Sequence, residues 1–120
     1  MTAESNFDPQ HLINDEQFED MRDLLDDDFD DLVRTFITDS KKRLSTLQDA
    51  FANNDNAAGF EAAHAMKGAS ANLGTTLLMT LASNLQEACR NQDISTQHPT
   101  LQYLEQALDA TEATILKRLG

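Results

Sequence analysis

Apolar residues recur every three or four positions along most of the chain, the period of one helix face, and strong strand alternation is absent. The longest such stripe, Phe29, Leu32, Val33, Phe36, Ile37, Leu44, Leu47 and Phe51, predicts a helix over residues 28–53, and acid at its start suits the helix dipole. Before it, Phe18, Met21 and Leu25 predict a short helix over residues 14–25, with Asn14 as N-cap and Gln17 completing a capping-box-like pair. Asn53-Asn54-Asp55-Asn56 makes a turn. A helix over residues 57–73 follows, ending at Gly74 in the place of a C-terminal cap. Thr75 caps the next, over residues 75–91, whose stripe is Leu77, Leu78, Leu81, Leu85, Ala88 and Cys89. Residues 92–98 read as a polar linker. Pro99 then opens a last helix in the first turn, where proline is tolerated, and Leu101, Leu104, Leu108, Ile115 and Leu119 form its buried side.

Four long amphipathic helices joined by short loops predict an all-α fold, an antiparallel four-helix bundle with an additional short N-terminal helix closing one end. Residues 1–13 are expected to be an N-terminal arm and residues 14–120 a single domain. The stripes hold mostly Leu, Phe and Ala and no charge, so any chemistry belongs on the surface.

Composition narrows the function. A chain of 120 residues is too short to add a nucleotide-binding kinase domain to this bundle. A formal net charge of −12 argues against nucleic acid and against an anionic membrane surface, both of which attract clustered Lys and Arg. No apolar run nears the ~20 residues of a membrane span, and MTAESNFDPQ lacks the basic and apolar regions of a signal peptide; a soluble cytoplasmic protein is expected. Cys89 is the lone cysteine and sits in an apolar stripe, which suits a buried inert thiol.

The acid is concentrated. Asp15, Glu16, Glu19, Asp20, Asp23, Asp26, Asp27, Asp28, Asp30 and Asp31 crowd one stretch, with Arg22 the only cation among them. A solvated helix-loop-helix surface is the plain reading, and a docking face for a basic partner is the alternative. A calcium loop does not fit, since Asp26-Asp27-Asp28-Phe29-Asp30 lacks the glycine and the terminal glutamate of an EF-hand.

Residues selected for chemistry appear in one run, His64-Ala65-Met66-Lys67-Gly68-Ala69-Ser70-Ala71-Asn72-Leu73-Gly74. A helix advances about 100° per residue, which puts Ala63, Met66, Ser70 and Leu73 on one side with Phe60 at its edge. His64, Lys67, Gly68 and Ala71 then face water, a titratable nucleophile beside a cation and a bare stretch of backbone. Glycine inside a helix costs about 1 kcal/mol relative to alanine, and clearance for an approaching surface offsets that cost. His11, near the N-terminus, and His98, before Pro99, have no such company.

The pattern His-x-x-Lys-Gly-x-Ser-x-x-Leu-Gly, written by His64, Lys67, Gly68, Ser70, Leu73 and Gly74, resembles the signature of histidine-containing phosphotransfer (Hpt) domains. Ala62-Ala63 before the histidine, and Gln86 and Arg90 on the following helix, extend the likeness, which covers residues 7–119. The resemblance implies a phosphorelay intermediate in two-component signalling. His64 would accept a phosphoryl group from a receiver-domain aspartyl phosphate and pass it to another receiver aspartate. An imidazole near neutrality keeps a neutral nitrogen free to attack, here Nε2 by analogy, while Nδ1 keeps its proton or finds an acceptor such as the Gln86 amide. Lys67 would stabilise charge on the phosphoryl oxygens. Gly68, Ala71, Gln86 and Arg90 would form the docking surface, with Ala65, Met79, Ala82 and Ser83 around them. No cofactor or metal is expected in this chain, with Mg²⁺ held by the receiver. The implied partners are receiver domains and a hybrid sensor histidine kinase, the chain itself being a monomer without kinase activity.

Three rival readings are weaker. Glu61-Ala62-Ala63-His64 matches the Glu-x-x-His of di-iron bundles, but no second such pair exists and Lys67 would repel the metal. ATP-dependent kinase activity lacks a phosphate-binding loop. A non-phosphorylated helical interaction module explains the fold but leaves Lys67 and Gly68 without a reason.

Overall fold

The computed structural model describes residues 9–119, which form α1 (Pro9–Leu12), α2 (Asp15–Leu25), α3 (Phe29–Ala52), α4 (Asn56–Leu73), α5 (Thr76–Arg90) and α6 (His98–Leu119). A 3₁₀ turn, Asp26–Asp28, joins α2 to α3, and another, Ile94–Thr96, joins α5 to α6. Packing of α3 on α4, α4 on α5, α5 on α6 and α6 back on α3 closes the four-helix bundle. Its centre is the set of stripes read from the sequence, with Val33, Leu47, Met66, Leu78, Leu85, Leu104 and Ile115 wholly buried. Each such side chain contributes about 1.5–3 kcal/mol on leaving water. No helix among the described residues is long and apolar enough to cross a membrane.

The N-terminal elements are anchored more firmly than an arm and a lid would be. Leu12 and Ile13, in the expected arm, are core residues, and α1 lies against α5 and α6. A helix of this length is too short for its period to register in the sequence. Asn14 caps α2 as expected, its Oδ1 accepting from the Gln17 N–H at 3.0 Å. The reciprocal half of the predicted capping box does not form. Gln17 Nε2 instead donates to the carbonyls of Ala71 and Asn72, and the Asn14 N–H donates to the Gly74 carbonyl at 2.8 Å. At the bundle's other contact with α2, Arg118 lies 5.4 Å from the Phe18 ring centre and pairs with Asp15 and Glu19. Phe18 meets Phe29 edge to face, centroids 5.1 Å apart.

Three further expectations are corrected. Leu32, placed in the α3 stripe, is 39% exposed, because it borders an open cleft between α2, α3 and α4 with Met21, Leu25 and Phe36. Thr75 precedes α5 without a side-chain cap; its Oγ1 points back to the Ser70 carbonyl at 3.4 Å. The polar linker contains a buried anchor, Ile94, whose N–H donates to Asn56 Oδ1 at 3.0 Å. One isoleucine among polar residues gives no periodic signal.

Candidate functional site

Helix α4 presents the site because both its ends are secured and one of its sides is small. Asp55 caps the start, accepting from the Ala58 N–H at 3.0 Å. Gly74 ends it with φ of 82°, a left-handed conformation that glycine adopts without a steric penalty. Ala62, Ala63, Met66, Ser70 and Leu73 are buried. Ser70 belongs to that inner side, and its carbonyl accepts from the N–H groups of Gly74 and Thr75, both at 3.0 Å. His64 and Gly68 are exposed, with Lys67, Ala65 and Ala71 half-buried beside them.

The imidazole is held from two directions. Nδ1 of His64 lies 3.2 Å from Gln86 Oε1 on α5. An amide oxygen only accepts, so Nδ1 is the donor in this contact, and in the neutral ring the lone pair is then on Nε2. Among the described residues no hydrogen bond reaches Nε2. The second hold is Phe60, one turn earlier on α4, whose ring plane is tilted by 4° from the imidazole with centroids 6.0 Å apart. Arg90 in turn rests its guanidinium 5.6 Å from the Phe60 centroid and pairs with Glu87 at 3.2 Å.

Lys67 lies one turn beyond His64 and, among the described residues, forms no ion pair. A Cβ built on Gly68 would meet nothing within 4 Å, so the backbone there is open to an approaching surface. These two residues and Ala71 share the outer side of α4 with His64, though Lys67 and Ala71 are half-buried where the sequence reading has them facing water.

Two residues assigned to the docking surface lie elsewhere. Gln86 is 5% exposed; it sits beneath His64 as an acceptor rather than at a rim. Ala82 is wholly buried in the core, since it follows Leu81 onto the inward side of α5. Met79 and Ser83 are half-buried, and Arg90 is exposed but engaged with Phe60 and Glu87. Phe60 is the site residue that sequence reading places only at the edge of the buried side. The signal was its position four residues before His64, where helical side chains meet.

The remaining candidates are set apart. His11 belongs to α1, where its carbonyl accepts from Thr76 Oγ1 at 2.9 Å, and His98 begins α6 with its ring 5.5 Å from Phe51. Both were expected off any helix. Glu61 is exposed, and among the described residues no three His, Cys, Asp or Glu side chains gather as a metal site. Cys89 is buried beside Ala50 and Ile94, and burial pushes its thiol up from the ordinary value, which keeps it protonated. The acidic stretch is exposed; within it Asp15 and Glu19 serve Arg118, and Asp30 lies 3.7 Å from Arg34.

Known proteins share the family and the fold. The Hpt domain family matches residues 31–114. A solved structure, histidine-containing phosphotransfer protein B (HptB) from Pseudomonas aeruginosa PAO1, superposes with a TM-score of 0.82 at 26% identity, over 91% of this chain and 95% of that one. No curated protein matches the chain. With the family match covering most of the bundle and the fold shared over nine-tenths of the chain, the chain belongs to the Hpt family and serves as a histidine phosphotransfer component of a two-component phosphorelay.

Proposed function

We propose that His64 is the phosphoryl carrier and that transfer runs through Nε2. The observation that carries this reading is the 3.2 Å contact of Nδ1 with Gln86 Oε1 on an otherwise exposed ring. Nε2 attacks the phosphorus of a receiver's aspartyl phosphate; the N–P bond forms as the P–O bond to the aspartate breaks, and the carboxylate leaves. Nδ1–H stays on Gln86, so the charge gained by the ring is stabilised by an acceptor already in place. The Lys67 ammonium offsets charge on the equatorial oxygens. The reverse reaction on a second receiver returns the phosphoryl group. Mg²⁺ is supplied by the receiver, and this chain contributes no kinase activity of its own.

Gly68 and Ala71 form the approach for the receiver, with Arg90 near its edge. The chain works as a cytoplasmic monomer between a hybrid sensor histidine kinase and its receivers. Incubated with a phosphorylated receiver and Mg²⁺, the wild type gains an acid-labile, base-stable label. His64→Gln gains none and folds with stability changed by only about ±0.5 kcal/mol, as is usual for an exposed site, while His11→Gln and His98→Gln label normally. Acid-labile phosphate on His64→Gln, or an acid-stable label on the wild type, overturns the assignment.

A further inference from the structure

We infer that Phe60 is the positioning residue for the imidazole, and that Arg90 serves the site by supporting Phe60. This rests on the reading of His64 as the carrier. The hydrogen bond from Nδ1 to Gln86 fixes one point on the ring. The torsion that turns a histidine ring is broad, so one point leaves the ring free to rock about that contact. The lone pair on Nε2 lies in the ring plane, and the plane therefore sets the line along which phosphorus must approach.

Phe60 supplies the missing constraint. Its ring is nearly parallel to the imidazole, at a separation within the offset-stacked range. The aromatic ring is itself held, half-buried against the small cluster of Ala50, Cys89 and Ile94, with the Arg90 guanidinium near its face. Glu87 steadies Arg90 from one turn away. A hydrogen bond in the plane and a stack against the plane together fix where Nε2 points. Neither contact uses the atom that reacts.

The test separates orientation from docking. Single-turnover transfer from a phosphorylated receiver is measured across receiver concentrations, giving a maximal rate and a half-saturating concentration. Phe60→Leu should lower the maximal rate about tenfold, the scale of a modestly misplaced reacting group, with the half-saturating concentration unchanged. Long-range ¹⁵N–¹H spectra of His64 should lose the pure Nδ1–H pattern in the same variant, and Phe60→Tyr, which keeps the ring, should restore both. Phe60→Met, which keeps apolar bulk without a plane, carries the same test if the leucine variant does not fold. A wild-type maximal rate in the leucine or methionine variant, or a rise in the half-saturating concentration alone, overturns the inference. The wild type still labelling while Phe60→Leu matches it rejects only the positioning role; a wild type that takes no label rejects the reading of His64.

Discussion

Gly59 and Gly68 lie on the same helix in opposite surroundings: a Cβ at Gly59 would come within 2.8 Å of both Cys89 Sγ and Ile94 Cδ1, whereas one at Gly68 would meet nothing within 4 Å. Gly59 is thus crowded by the ends of two buried side chains, and Gly68 by nothing inside the chain. Gly59→Ala should lower stability by about 1–3 kcal/mol, the usual cost of overpacking. Gly68→Ala should raise it by about 0.5–1 kcal/mol, because the helix gains a better former. Thermal or urea melts of the two variants, expected to move in opposite directions, check this.

A bulkier change at Gly68 tests clearance. Gly68→Gln should melt no lower than wild type yet slow transfer by more than about tenfold, a loss of about 1.4 kcal/mol in docking. Transfer at the wild-type rate would show that no partner surface comes close to this turn.

Lys67→Ala should leave the half-saturating receiver concentration nearly unchanged and cut the single-turnover rate about tenfold. That is less than the 10²–10³ typical of a buried oxyanion donor, because a half-exposed ammonium is partly screened. An unaffected rate would make Lys67 a solvated side chain only.

The site was readable where exposure and helical spacing decide it, and unreadable where three-dimensional neighbours do. His64, Lys67, Gly68 and Ala71 follow from one period on one helix, as does the buried side carrying Met66 and Leu73. Gln86 was foreseen as a possible acceptor for Nδ1 but also set on the docking surface, because its burial depends on the angle between α4 and α5. Phe60 lies on the margin between the two sides of its helix, and its stack on the imidazole four residues later, with Arg90 over its ring, makes it part of the site. For the fold, the long stripes gave four helices within a residue or two of their observed ends. Leu12, Ile13 and Ile94 are buried without a periodic signal, because short elements carry too few residues to show one.

Cys89 gives a prediction in pH. Burial raises its thiol, so the folded chain holds that proton more tightly than the unfolded chain does. The contribution is fully present below the thiol's ordinary range and is lost as pH rises through the raised value. Stability should therefore decline on the alkaline side in wild type more than in Cys89→Ala, as followed by urea midpoints. A thiol reagent at neutral pH should modify Cys89 only after denaturant is added.

The family's shared span begins at residue 31, yet the bonds that close the far end of α4 come from Asn14 and Gln17. A transplant of the shared span alone into another protein would leave the carbonyls of Ala71, Asn72 and Gly74 to water. The turn that frays first would be the one directly after Gly68 and Ala71. Anyone borrowing this helix should therefore carry the preceding residues from Pro9 onward, since the stopper for the segment is encoded far upstream of the motif that identifies it.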